Sequence, residues 1–382
     1  MKTAGKVKVA FISYVTKSSH LNYGATLHGY AFQYVLDKLG CESVAIDYLP
    51  IPVSRDNLKY PILSKEQGRT PIVWIAVKVN YLISFFSNLT KYYKFEHFIE
   101  RYIKITKRSF DYNELETCKS LDENPEVFVC ESDVIWKYLE GPNYDKHFYL
   151  DFPAAIGKKK VAYAPSISTG EFSIKQKALL KKLTDDFAAI SSREEEGASY
   201  LSKILGRKVE WVLDPTLLLD EDDYLDITIK PKEENYLLIY NCTENDREMV
   251  KMACAYAKTH NLKVIEISNY AINGLSPWHT VKCNVGIEEW LGYIKHSTAF
   301  FTNSFHGLCF AVIFKKDIIL FQRNKSDYKM PNLIAKLAMG NIFVKVENRV
   351  LPSKVQIDYS EVYNRLNAYR EKSIEYITRN II

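Results

Sequence analysis

Short apolar runs alternate with amphipathic segments along most of this chain, and that alternation leaves few architectures open. The run KVKVAFISYV, residues 6–15, leads through a polar loop to ATLHGYAFQYVLDKLG, residues 25–40. There Leu27, Tyr30, Ala31, Tyr34, Val35 and Leu39 recur at helical spacing, and Gly40 stops the helix. CESVAIDYL, 41–49, is the next strand. A strand, a helix and a strand joined by a crossover this long predict a parallel βαβ unit.

The alternation resumes with PEVFVC, KKKVAYAPS, SIKQKALLKKL, DFAAISS, REEEGASYLSKILG and KVEWVLDPTLLL. It restarts with YLLIYN and runs through LKVIEIS, GIEEWLGYIKHS, TAFFT, SFHGLCFAVIFKK and DIILF. At 382 residues the chain exceeds one ordinary core. The expected fold class is therefore α/β, with two Rossmann-like lobes. Residues 1–220 form the N-terminal lobe, 221–235 a linker, 236–350 the C-terminal lobe and 351–382 a terminal helix. Residues 50–115 break the pattern and predict a mostly helical insertion in the first lobe.

Within that insertion, PIVWIAVKVNYLISFFSNL (71–89) is long enough to raise the question of a membrane span. Lys78 and Asn80 at its centre argue for a packed helix instead, with peripheral membrane contact as the alternative. Net charge is +5, far from a nucleic-acid-binding balance and equally compatible with an anionic small substrate or an acidic membrane surface. Seven scattered cysteines form no C-x-x-C pair, and no signal-peptide pattern opens the chain, so a reduced, cytoplasmic protein is expected.

Ligands of open parallel sheets bind where strands end and helices begin. Four such junctions stand out. In NYGATLHG, Asn22 suits a helix cap and Gly24 a close backbone approach, while His28 lies within the helix and reads as structural. In SSREEEG, three glutamates suit a helix N-terminus, but Arg193 opposes the dipole there and predicts a shared anion or a pair with a glutamate. Asp214 before Pro215 reads equally as a turn former. In TNSFHG, Asn303 or Ser304 is the predicted cap, Gly307 permits close approach, and His306 in the first turn can exchange a proton at neutral pH.

Five segments, in order, resemble the polysaccharide pyruvyl transferase family: NYGATLHGYAFQYVLDKLG, ESDVIW with HFYLDF, KKKVAYAPS, ISSREEEGASYLSKILGRKVEWVLDPTLLL and TNSFHGLCFAVIFKKDIILF. The resemblance implies a GT-B-like fold with its active site in a cleft. It also implies transfer of the pyruvyl group of phosphoenolpyruvate onto a hexose of a bacterial polysaccharide or precursor as a ketal, releasing phosphate. No metal or further cofactor is implied. His306 takes the family's histidine position and Arg193 that of its arginine. Asn303, Ser304 and Gly307 join Arg193 on the donor side; Asn22, Tyr23, Gly24, Ser132 and Asp133 form the acceptor side.

Two departures follow. Many members carry arginine where this chain has Ser304, so a replacement cation is expected, with Arg323 first and Lys329 behind it. The family's G-S-D segment reads Glu131-Ser132-Asp133. Two alternatives stay open: a GT-B glycosyltransferase using a nucleotide sugar, with its site near YNCTEND and SNYAING, and a non-catalytic glycan-binding relative. A lipid-linked acceptor would place the protein at the inner face of the cell membrane and give residues 71–105 a purpose.

Overall fold

The protein is described by a computed structural model covering residues 6–17, 21–51, 53–61, 71–167, 171–242, 246–269, 271, 278–323, 329–352 and 357–382. Its chain divides into two compact units. The first comprises Met1–Arg55, Ile99–Leu219 and Leu366–Ile382; the second comprises Asp56–Phe98 and Asp220–Arg365.

In the first unit, β1 (Lys8–Ile12), α1 (Tyr23–Lys38) and β2 (Glu42–Ala45) form the predicted βαβ start. Next along the chain come α2 (Arg55–Lys59), α3 (Pro71–Ile83), α4 (Phe85–Tyr102) and α5 (Tyr112–Thr117). Then β3 (Val127–Glu131), β4 (Lys159–Tyr163), α6 (Ile174–Thr184), β5 (Phe187–Ser192), α7 (Glu195–Leu205) and β6 (Glu210–Trp211) complete the first sheet. Its order is β2-β1-β3-β4-β5-β6, and every pairing is parallel. β1 lies between strands on either side, so its apolar run is buried on both faces.

The second unit holds α8 (Glu221–Leu225), β7 (Tyr236–Asn241), α9 (Arg247–Thr259), β8 (Lys263–Ser268), β9 (Thr280–Lys282) and α10 (Ile287–His296). It continues with β10 (Ala299–Thr302), α11 (Phe305–Ile313), β11 (Ile318–Phe321), α12 (Lys329–Lys336) and β12 (Phe343–Val344). Its sheet is again parallel, in the order β12-β11-β10-β7-β8-β9. All six residues of β7 are buried, as a central strand covered by helices on both faces requires. Two parallel six-stranded sheets alternating with helices bear out the expected pair of Rossmann-like lobes.

The division differs from the expected one in three places. Residues 56–98 of the insertion belong to the second unit, because α4 buries Lys91 and Phe95 there and Lys94 holds Glu289 at the start of α10. Residues 221–235 are no bare linker: Asp220 caps α8, and Ile229 N donates to Glu288 O at 3.0 Å. A Cβ on Gly292 would lie 1.7 Å from Ile229 O, so only glycine admits that contact. The terminal helix α13 (Tyr359–Asn380) begins among residues of the second unit and ends among those of the first.

Residues 71–89 form two helices broken at Ser84 rather than one continuous segment. No helix among the described residues is long and apolar enough to cross a membrane.

Candidate functional site

The junction between β10 and α11 is built by local hydrogen bonds. Thr302 Oγ1 accepts from Ser304 N at 3.1 Å and donates to Tyr240 O at 2.8 Å, closing the turn onto β7. Ser304 is the N-cap, its hydroxyl accepting from Gly307 N at 3.2 Å. Asn303 instead ties two strand ends together: its Oδ1 accepts from Cys242 N at 2.9 Å and its Nδ2 donates to Asn241 Oδ1 at 3.2 Å. Gly307 is needed because a Cβ there would meet Thr302 Oγ1 at 2.8 Å. The close approach that sequence reasoning assigned to a ligand is therefore made by the chain itself.

His306 occupies the first turn of α11 and is 7% exposed. That turn carries no acidic side chain, and its cap is the neutral Ser304 hydroxyl. Arg323 follows β11 by two residues, Lys329 opens α12, and both are half-buried.

The carboxyl ends of β3, β5 and β6 in the first unit carry a second constellation. The Arg193 guanidinium is buried and donates to Asp214 Oδ2 at 2.8 Å, to Glu194 Oε1 at 3.3 Å and to Asp133 Oδ1 at 3.4 Å. Burial disfavours its charge, but these carboxylates outweigh that and hold its pKa above the usual range. The shared anion predicted for Arg193 is thus supplied by the protein's own side chains. Asp214 also accepts from Ser132 Oγ at 3.1 Å and from Thr216 N at 3.1 Å, which makes it both an ion-pair partner and the cap of the 3-10 turn Pro215–Leu218.

Of the acceptor-side residues, Asn22 caps α1 by accepting from Gly24 N at 3.0 Å, and Tyr23 is buried. Ser132 is buried and committed to Asp214, whereas the Asp133 side chain keeps 14% exposure. Both have left-handed backbones, with φ of 40° and 56°. Such strain in consecutive non-glycine residues at a strand end persists only where the surroundings enforce it.

Sequence reasoning took His28 as a structural helix residue and named Glu131 only as a departure from G-S-D; it missed that the two are partners. His28 Nδ1 faces both Glu131 oxygens at 2.9 and 3.0 Å, and its Nε2 lies 3.8 Å from Asp133 Oδ2. Burial opposes charge on His28, but Glu131 and Asp133 outweigh it and push its pKa up to about 10. Burial likewise raises Glu131, with His28 pulling the other way. We place the proton on His28, because a carboxylate faces each of its two nitrogens. Nothing in the helical pattern around His28 signals this; only the acidic pair at 131 and 133 hints at a cation nearby.

Two Rossmann-like units, one with a capped helix N-terminus carrying histidine and the other with an arginine–carboxylate network at its strand ends, define an α/β protein of parallel sheets. The sequence model of the family "Polysaccharide pyruvyl transferase" matches residues 22–324, and the chain belongs to that family. No curated protein matches it. Among solved structures it is similar to UDP-GlcNAc 2-epimerase from Methanocaldococcus jannaschii, at 12% identity and TM-score 0.46, covering 98% of each chain. It is also similar to Arabidopsis thaliana UGT89C1 complexed with UDP-L-rhamnose, at 11% identity and TM-score 0.48, covering 98% of this chain and 96% of that one. The segments YNCTEND and SNYAING, considered above for a nucleotide sugar, fall partly outside the described residues.

Proposed function

We propose that this protein transfers the pyruvyl group of phosphoenolpyruvate to a hexose of a bacterial polysaccharide or its precursor, forming a ketal and releasing phosphate. The observation that carries the reading is His306 in the first turn of α11, on a helix end free of acidic side chains. An imidazole there stands beside an anion-binding helix terminus, which is the pairing an anionic enol donor calls for.

The chemistry balances without a redox step. A proton reaches the methylene carbon of phosphoenolpyruvate, and C2 gains oxocarbenium character. One sugar hydroxyl attacks C2, the C2–O bond to phosphate breaks, and a second hydroxyl closes the ketal. Two hydroxyl protons are given up; one is accounted for by the new methyl group and the other by the departing phosphate. His306 serves as the proton carrier. The α11 terminus takes up the charge growing on the phosphate, with Arg323 and Lys329 as further candidates from the neighbouring strand.

The helical insertion supports a lipid-linked acceptor. Trp74, Ile75, Val79, Leu82, Ile83 and Phe86 recur at helical spacing and are exposed, Leu82 by 65% and Phe86 by 79%. Lys78 stands over the Trp74 ring at 5.7 Å, and Lys59 over the Tyr93 ring at 5.0 Å. An apolar stripe bordered by lysines and aromatic rings suits the interface of an anionic membrane, where such a protein would work on its inner face.

Calorimetric titration with phosphoenolpyruvate, set against a panel of nucleotide sugars, tests the reading. Binding of phosphoenolpyruvate alone supports it. Binding of one nucleotide sugar with no response to phosphoenolpyruvate would replace it with glycosyl transfer.

A further inference from the structure

A cysteine, a histidine and a glutamate that the reaction above does not use come together beside β9, the edge strand of the second sheet. Glu266 lies within β8, is fully buried, and shares a face of that strand with Val264, because alternate residues point the same way. Val264 packs in one core with Met249, Ala253 and Ala257 of α9, so α9 covers that face. Cys254, the residue after Ala253, packs against the same core and stays partly exposed. His279 stands immediately before β9, whose pairing sets Val281 beside Glu266. Its Nε2 meets Glu266 Oε2 at 2.9 Å.

The His279 side chain is 3% exposed, yet its second nitrogen, Nδ1, is buried without a hydrogen-bond partner. A ring nitrogen sealed in this way costs stability unless a neighbour engages it. The Cys254 thiol bears on the ring more strongly than any other group, short of the alignment of a regular hydrogen bond. The thiol and Glu266 together outweigh burial and push the His279 pKa up to about 9, so the ring carries a proton at neutral pH. The result is a half-buried thiol beside an imidazolium whose far side is held by a carboxylate. Such a cation favours the thiolate, the form of sulfur that reacts with electrophiles.

We propose that Cys254 is a nucleophilic thiol at which this protein takes up a low-molecular-weight disulfide, with His279 and Glu266 as its positioning residues. Cys254 Sγ attacks one sulfur of the disulfide. The new S–S bond forms as the old one breaks, and the second sulfur departs with the electron pair. That sulfur takes up the proton Cys254 has lost, so one disulfide replaces another with no net oxidation. Lys251 and Lys258 lie three residues before and four after Cys254, on its side of α9, and both are exposed. They suit a disulfide that carries carboxylates, although Lys251 also reaches Glu248 at 3.5 Å. Cys254 stands eight residues beyond the Asp246 cap of α9, well down the helix from the strand ends that carry His306. The inference is therefore independent of the donor reading.

The test is peptide mass spectrometry of the full chain incubated with glutathione disulfide, folded and in urea, for the wild type, His279→Gln and Cys254→Ser. In the folded wild type Cys254 should gain the adduct about tenfold faster than the same residue does in urea. An ordinary thiol is only a few per cent thiolate at pH 7, and the gain in thiolate is partly offset by lower nucleophilicity. The buried cysteines should instead react more slowly folded than unfolded. His279→Gln should erase the advantage of Cys254, and Cys254→Ser should remove the fast adduct. If His279→Gln does not fold, the wild-type rate between about pH 6 and about pH 8 decides. An ordinary thiol gains about tenfold per pH unit there, and Cys254 should gain about threefold or less. The titratable groups around the pair are Glu266 of β8, Lys251 and Lys258 of α9, and Cys283 after β9, which burial pushes up to about 11. A folded Cys254 that reacts no faster than the unfolded one overturns the proposal. Fast reaction that persists in a folded His279→Gln overturns it too, since exposure alone would then account for the rate.

Discussion

Arg193 Nη1 donates to Asp214 Oδ2 at 2.8 Å, and the two groups are nearly sealed from solvent, with side-chain exposures of 3% and 0%. Asp214 spends its other oxygen on Thr216 N and Oγ1, so one carboxylate fastens the arginine and the turn that ends the first sheet. Removing the arginine leaves buried carboxylates without their counter-charge. Arg193→Met should cost about 3–5 kcal/mol in denaturant unfolding. A residue serving only to bind donor would leave the unfolding midpoint where it was.

His306 makes a different prediction. Replacing it with glutamine keeps a side chain that can hydrogen-bond near the α11 terminus but removes the proton carrier. Ketal formation, followed by mass spectrometry of the acceptor, should fall about 100- to 10,000-fold. Affinity for phosphoenolpyruvate should change far less. A variant that retains turnover would assign the proton to another group.

The His28–Glu131 pair predicts how stability depends on pH. The folded pKa of His28 is about 10, against roughly 6.5 in an unfolded chain. The raised value means the pair's contribution is complete below about pH 6.5, declines as pH rises from there, and is gone above about 10. Urea midpoints across that range should therefore fall on the alkaline side. Substituting both partners with glutamine should flatten the curve, since an amide pair has no proton to lose.

Gly292→Ala would drive a methyl group into Ile229 O, a backbone atom that cannot swing aside as a side chain can. The expected loss is about 3 kcal/mol or more. A much smaller effect would mean that residues 226–230 are not docked against α10.

The apolar stripe on α3 and α4 is tested by pelleting with anionic vesicles. Leu82→Asp combined with Phe86→Asp should abolish pelleting while keeping the melting temperature, because both side chains are exposed. Equal pelleting of wild type and variant would exclude a lipid partner for this face.

The alternation of apolar strands and amphipathic helices was legible because parallel strands buried on both faces must be apolar throughout, as YLLIYN and DIILF are. The junction TNSFHG was legible for a related reason: threonine, serine and glycine at a strand–helix turn each answer a local backbone need. What sequence did not disclose depended on contacts distant along the chain. Lys91 and Asn269 are 178 residues apart, and the interior of a helix carries no sign that one lysine turns inward. His28 and Glu131, separated by 103 residues, look like an ordinary helix position and an ordinary strand end. The two-residue strands β6 and β12 are too short to leave a period, and the transfer of residues 56–98 to the second unit is decided by packing alone.

Each unit is assembled from separated stretches of sequence, the first from three and the second from two. Neither can therefore be expressed from one uninterrupted piece of the gene without carrying a portion of the other. During synthesis the first sheet obtains all its strands by Trp211, yet Tyr376, whose Oη donates to Ala162 O of β4 at 3.0 Å across 214 residues of sequence, emerges much later. The final turns of α13 thus act as a late clasp on a sheet built much earlier. A nascent chain that stalls before them leaves that β4 contact unmade.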